Sequence, residues 1–201
     1  MVVDREEQVS LRKRTTKSTK KILGVMGSTR KNGATDLLLQ QVLKGAEQEG
    51  AETDIIYAGT NIKGCPSLCD YQEQGCLLKD GLKEINDKIA EADAVVFASP
   101  VFGRQIVALL KLLSGERCPH LNRSAFNRDS HKRSALLFSQ GHADAQQYSA
   151  YIKWMANLLP AIGFNAPEKI IVAAGVRRAA DALNDSLLLQ SASDLGKQLA
   201  G

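Results

Sequence analysis

Aromatic residues make up only 5% of this 201-residue chain, and tryptophan occurs once. No apolar run reaches the length that a bilayer demands, and residues 1–20 are polar where a secretory signal needs an apolar centre. These absences predict a soluble cytoplasmic protein with no membrane partner. Cysteines number four and histidines three, and His120, His131 and His142 are too widely spaced to make a metal set. Disulfides are disfavoured in that compartment. A strong excess of one charge sign is also absent, with 26 Lys and Arg against 22 Asp and Glu. The net charge is +4, and residues 1–21 carry all of it, with seven Lys and Arg against three acids. The body is therefore neutral, which predicts a flexible basic tail over residues 1–20, a solvated extension rather than a nucleic-acid arm. With 44% hydrophobic content, residues 21–201 suit one domain with a core of its own.

Five short apolar runs alternate with helical patterns: Ile22 to Met26, Asp54 to Tyr57, Ala94 to Ala98, Ala135 to Phe138, and Ile170 to Ala173. Their lack of polar alternation suits strands covered on both faces. Apolar spacing predicts helices through Leu38, Val42, Leu43 and Ala46, then through Leu82, Ile85 and Ile89. Further helices are expected over Ile106 to Leu113, Tyr148 to Leu159, and Asp181 to Leu199. Strand and helix taking turns predict an α/β fold, a doubly wound five-stranded parallel sheet with helices on both faces. Such sheets bind ligands beyond the carboxyl ends of their strands. At the first of those ends lies Gly27-Ser28-Thr29-Arg30-Lys31-Asn32-Gly33-Ala34-Thr35. Small residues let backbone N–H groups approach an anion, hydroxyls add donors, and the following helix start supplies partial positive charge. The glycine spacing fits neither a Walker A loop nor the dinucleotide fingerprint, so a monophosphate is the better ligand. The same run also reads as an ordinary βα loop with Thr35 as helix N-cap.

After the third strand comes Ser99-Pro100-Val101-Phe102-Gly103. With the first loop, this resembles the flavodoxin-like NADPH-dependent FMN reductase family, in the branch that includes iron-sulfur flavoproteins. Asn61-Ile62-Lys63 and Glu116-Arg117 also resemble family segments, and the likeness covers Lys21 to about Ala174. The resemblance implies FMN, with its phosphate on Ser28, Arg30, Asn32, Ala34 and Thr35 and its ring along Pro100, Val101, Phe102 and Gly103. Ser139, Gln140 and Gly141 would touch the other side of the flavin, although relatives carry more glycine there. His142 reads equally as a solvated loop residue. No side chain is expected to be catalytic, because the flavin N5 does the chemistry.

The resemblance implies an oxidoreductase that moves hydride from NADPH or NADH through FMN to a small acceptor such as free flavin or quinone. It also implies a homodimer or homotetramer. The alternatives are an electron carrier that exchanges electrons with ferredoxin, and a redox-silent module of the same fold. Cys65, Cys69 and Cys76 occupy the loop where the iron-sulfur branch carries four cluster cysteines. Three thiolates fall one short of the usual set, and Cys118 is expected at the opposite end of the sheet. An iron-sulfur cluster is therefore not expected, and these cysteines are at best weak metal candidates.

Overall fold

The computed structural model describes residues 19–58, 62–63, 80–106 and 132–201. Its strands are β1 (Lys21–Met26), β2 (Glu52–Tyr57), β3 (Ala94–Phe102), β4 (Gln105–Ile106), β5 (Arg133–Ser139) and β6 (Ile170–Ala173). The helices are α1 (Ala34–Gln48), α2 (Leu82–Glu91), α3 (Ser149–Ala161), α4 (Ala179–Leu183) and α5 (Ser186–Ala200). Runs rich in Val, Ile, Leu and Ala form the central strands β1, β3 and β5, whose faces are covered, whereas the edge strands β2 and β6 do not meet the expectation of double coverage and keep exposed or half-buried residues. Every residue of β1 after Lys21 is buried. Ile22 and Met26 join a core beneath α1 and α5, with Leu38, Val42 and Leu195. Leu23 and Val25 point the other way, into a core beneath α2 and α3 with Ile85, Phe97 and Met155. Alternate residues of one strand thus feed two hydrophobic layers, as a doubly wound sheet requires.

The five long strands run parallel in the order β2-β1-β3-β5-β6. All five expected strands are present, and the fold class is the expected one. Three expectations about boundaries need correction. β3 continues past Ala98 to Phe102, and β4 folds back against it in antiparallel register, Phe102 opposite Gln105. Ile106 is consequently a strand residue rather than the start of a helix, and the rest of that expected helix lies outside the described residues. The helix expected from Asp181 to Leu199 is two helices, because the Asp185 carboxylate accepts from Leu188 N at 2.9 Å and starts α5 afresh. Finally, α1 begins at Ala34 with Gly33 as its N-cap, so Thr35 is already inside the helix.

α1 and α5 cross in direct backbone contact. A Cβ on Gly196 would sit 1.8 Å from the Val42 carbonyl oxygen, and one on Gly45 would sit 2.1 Å from that of Ser193. Only glycine permits this approach. The crossing sets where α1 directs its first turn, at the carboxyl end of the sheet.

Candidate functional site

The loop after β1 leaves the sheet once Gly27 N has donated to Ala98 O at 2.8 Å. Ser28 Oγ then accepts from Arg30 N at 3.1 Å. Asn32 takes a left-handed φ of 59°, a conformation that asparagine tolerates better than most residues. Its N–H donates to Asp36 Oδ2 at 2.6 Å, while Asp36 Oδ1 accepts from the Tyr57 hydroxyl at 3.0 Å. Burial, followed by the bond to Asp36, pushes the Tyr57 hydroxyl pKa above its ordinary value. The Lys31 ammonium lies 5.2 Å from the Tyr57 ring centroid and closes the outside of the loop. No side chain caps the start of α1. Its first N–H groups therefore lack a side-chain acceptor from the N-cap, the arrangement that suits an anion.

Two further loops meet this one. Thr35 Oγ1 and Ser139 Oγ share a hydrogen bond of 2.6 Å, tying the first turn of α1 to the end of β5. The β3–β4 hairpin turns through Gly103 and Arg104 at φ 56° and 67°, the signs of a type I′ turn, and leaves Phe102 65% exposed at its tip. After β5, Gln140 turns inward, 2% exposed, and its Nε2 donates to His142 O at 3.2 Å and Asp144 O at 2.7 Å. That loop is braced by the one after β6. Val176 N donates to Gln140 O at 2.9 Å, Gly175 N to His142 O at 2.7 Å, and Arg177 Nε to Gly141 O at 3.2 Å. Asp181 Oδ2 accepts from the backbone N–H of Arg177 at 2.9 Å and of Arg178 at 2.8 Å. These two bonds hold its carboxyl pKa below the usual range.

Together the loops enclose a cleft of about 840 Å³, a size suited to a cofactor. Ten of the expected site residues line it: Ser28, Arg30, Asn32, Ala34, Thr35, Pro100, Val101, Phe102, Ser139 and Gly141. Two do not. Gly103 serves the hairpin turn, and a Cβ there would meet no protein atom within 4 Å, so its positive φ rather than a close approach calls for glycine. Gln140 stands behind the wall and holds it together. His142 does line the cleft, with Nδ1 accepting from Asp144 N at 3.1 Å.

The sequence reading missed Tyr148, Arg177 and Arg178 in the lining. The parallel topology offered a signal for the arginines, since the loop after the last strand opens at the same end as the others. Asn61, Cys65, Cys69, Cys76, Glu116, Arg117, Cys118, His120 and His131 lie outside the described residues. Among the described residues no group of three or more His, Cys, Asp or Glu could hold a metal, and no helix is long and apolar enough to cross a membrane.

A five-stranded parallel sheet with helices on both faces and a cleft at its carboxyl end defines the class: a flavodoxin-like α/β protein. The chain belongs to the NADPH-dependent FMN reductase family, whose model matches residues 20–166. It is 29% identical to an iron-sulfur flavoprotein of Methanocaldococcus jannaschii over 90% of this chain and 95% of the relative. It is 33% identical to an iron-sulfur flavoprotein of Archaeoglobus fulgidus, over 48% of this chain and 50% of that protein. Among solved structures, the Trp repressor binding protein from Bacillus subtilis superposes with a TM-score of 0.67 at 20% identity, covering 87% of this chain and 99% of that one. An FMN-dependent NADH-azoreductase from Bacillus anthracis, in complex with FMN, gives 0.62 at 13% identity, covering 90% and 98%. These structural likenesses carry the fold.

Proposed function

We propose that the cleft holds FMN and that the chain is an oxidoreductase taking hydride from NADPH or NADH to a small acceptor, free flavin or a quinone. The observation that carries this reading is the uncapped start of α1, which opens beside Arg30 into the same cleft as the Phe102 hairpin. A monophosphate fits there. Backbone N–H groups of Ala34 and Thr35, with the Arg30 guanidinium, would hold its oxygens. Asp36 acts indirectly, fixing Asn32 and Tyr57 so that the loop keeps its curve. Pro100, Val101 and Phe102 form one wall for a flat ring, and Ser139 and Gly141 form another, stiffened by the loop after β6. When bound, FMN supplies a ring that accepts hydride at N5 and passes electrons on. The protein's part is to orient that ring and leave one side open to a second substrate. The reading includes a cytoplasmic homodimer or homotetramer.

A second reading has a specific observation behind it. The relatives at 29% and 33% identity are named iron-sulfur flavoproteins, which favours an electron carrier serving ferredoxin. Against a cluster stands the sequence count, since Cys65, Cys69 and Cys76 supply three thiolates and four are the usual set. One experiment addresses both readings. Protein made anaerobically with iron and sulfide is expected to display the two visible bands of oxidised flavin, to contain no stoichiometric iron, and to bleach on adding NADPH or NADH. Flavin that ignores both nicotinamides but is reduced by reduced ferredoxin, with about four irons per chain, would establish the carrier instead. Absence of bound flavin after reconstitution with FMN would defeat both.

A further inference from the structure

The cleft has two positive poles. One is the start of α1 with Arg30. The other is Arg177 and Arg178, on the loop between β6 and α4. We propose that Arg177 and Arg178 form a phosphate subsite that selects a phosphorylated second substrate over its dephosphorylated form. This rests on the FMN reading, because it assigns the first pole to the phosphate of the resident flavin.

Three observations support it. Among the described residues, no carboxylate lies within 4.0 Å of either guanidinium. The nearby carboxylate of Asp181 instead grips the backbone N–H groups of both arginines, at 2.9 and 2.8 Å, so it anchors the peptide without forming an ion pair with the side chains. Arg177 is also held along its stem. A Cβ on Gly141 would come within 3.1 Å of Arg177 Cγ, and Nε donates to Gly141 O at 3.2 Å, which leaves the two Nη nitrogens for a ligand. Finally, the resident phosphate is matched by helix N–H groups and Arg30. The Arg177 and Arg178 guanidiniums are spare to that phosphate, and Asp181 interacts with them only at longer range, without a contact ion pair. Arginine forks pair with phosphate oxygens in bidentate geometry, which suits a second phosphate.

Such a phosphate has two sources in the proposed reaction: the 2′-phosphate of NADPH as donor, or the 5′-phosphate of free FMN as acceptor. The test is equilibrium titration of FMN-loaded protein with NADP+ against NAD+, and with FMN against riboflavin. One phosphorylated member is expected to bind roughly tenfold or more tightly than its counterpart. Arg178→Ser should shrink that preference, and Arg178→Glu should abolish it, with the affinity for resident FMN unchanged. The responding pair identifies the source. Equal affinities within both pairs in the parent protein, or a preference that survives in Arg178→Glu, would overturn the proposal. So would loss of resident FMN in the variants, because the arginines would then belong to the flavin already in place. A chain that takes up no FMN fails at the earlier step, seen in its spectrum, and the subsite falls with it.

Discussion

The two ends of the sheet treat charge in opposite ways. At the amino end the charges are paired: Lys20 with Asp93 at 4.0 Å, Lys21 with Glu91 at 3.9 Å, Lys88 with Asp54 at 2.7 Å, and Arg133 with Glu168. Lys132 there donates to two carbonyls, Ala90 O at 2.8 Å and Ala92 O at 2.6 Å. At the carboxyl end, Arg30, Arg177 and Arg178 share a cleft whose lining carboxylate, Asp36, already uses both oxygens on Asn32 and Tyr57. Paired surface charges contribute at most about 1 kcal/mol each and offer nothing to a ligand. Cations gathered in a concave wall with no acid in contact with their guanidiniums keep their hydrogen-bond donors available to an anion. The same residue types therefore stabilise one end and, on the FMN reading, serve binding at the other. Substitutions at the two ends should separate along that line.

The largest effect is expected where one change reaches both ends. α5 presents the Leu199 and Gln198 carbonyls to Arg133 at the amino end, both at 2.9 Å, and packs against α1, which opens the cleft. Gly196→Val places side-chain atoms where even a Cβ lies 1.8 Å from Val42 O, so the helices must separate. The expected cost is roughly 3 kcal/mol, or about 6–12 °C in Tm for a chain of this length. FMN affinity should fall in the same variant, because α1 can no longer hold its first turn in place. Thermal unfolding and flavin titration together check this. A Tm shift without a change in flavin affinity would separate the crossing from the site.

Arg30→Ala confines the damage to the carboxyl end. Removing a charge-assisted contact of about 1.5–3 kcal/mol should raise the FMN dissociation constant roughly tenfold to a hundredfold. Arg30 is exposed, so the Tm of the flavin-free protein should stay nearly constant, within about 0.5 kcal/mol of stability. An unchanged dissociation constant would place Arg30 outside the phosphate site.

How much of this was legible depends on whether a feature is built by neighbours in sequence. β1, its loop and α1 are contiguous, and their apolar runs, small residues and helical spacing are enough to predict a phosphate loop at a strand's end. The β3–β4 hairpin was not legible. Arg104 adopts φ 67° although arginine gives no signal for a type I′ turn, and Ile106 carried the apolar spacing of a helix instead. The break between α4 and α5 was hidden for a related reason. Apolar periodicity continues across Asn184 and Asp185, and only the cap formed by the Asp185 side chain interrupts the backbone. The wall behind Gly141 depends on bonds between Gln140–His142 and Gly175–Arg177, segments far apart in the chain. The resemblance implies Ser139, Gln140 and Gly141 in the site, but nothing in their own segment signals that the loop after β6 braces them.

The smallest effect belongs to the amino end and tests whether its pairing is purely structural. Glu168 accepts from Arg133 Nη2 at 2.8 Å as well as from Arg133 Nε, and from Gln198 Nε2 at 3.1 Å. The Arg133 bond holds the Glu168 carboxyl pKa below its ordinary value, against the opposing pull of burial. A carboxyl depressed in the folded state contributes stability that is complete above the unfolded value, about 4.3, and disappears as pH falls through the folded value. Both side chains are less than a third exposed, at 29% and 22%, so the pair is screened only in part. Glu168→Gln should therefore cost about 1 kcal/mol at pH 7. Below about pH 4.3 the gap between parent and variant should narrow, since the parent alone loses this contribution by protonation. FMN affinity should not move. Tm measured from pH 7 to pH 3 gives the result, and parallel acid limbs for the two proteins would show that the Arg133 pair does not govern this carboxyl. A change in flavin affinity would show instead that the two ends of the sheet are not independent.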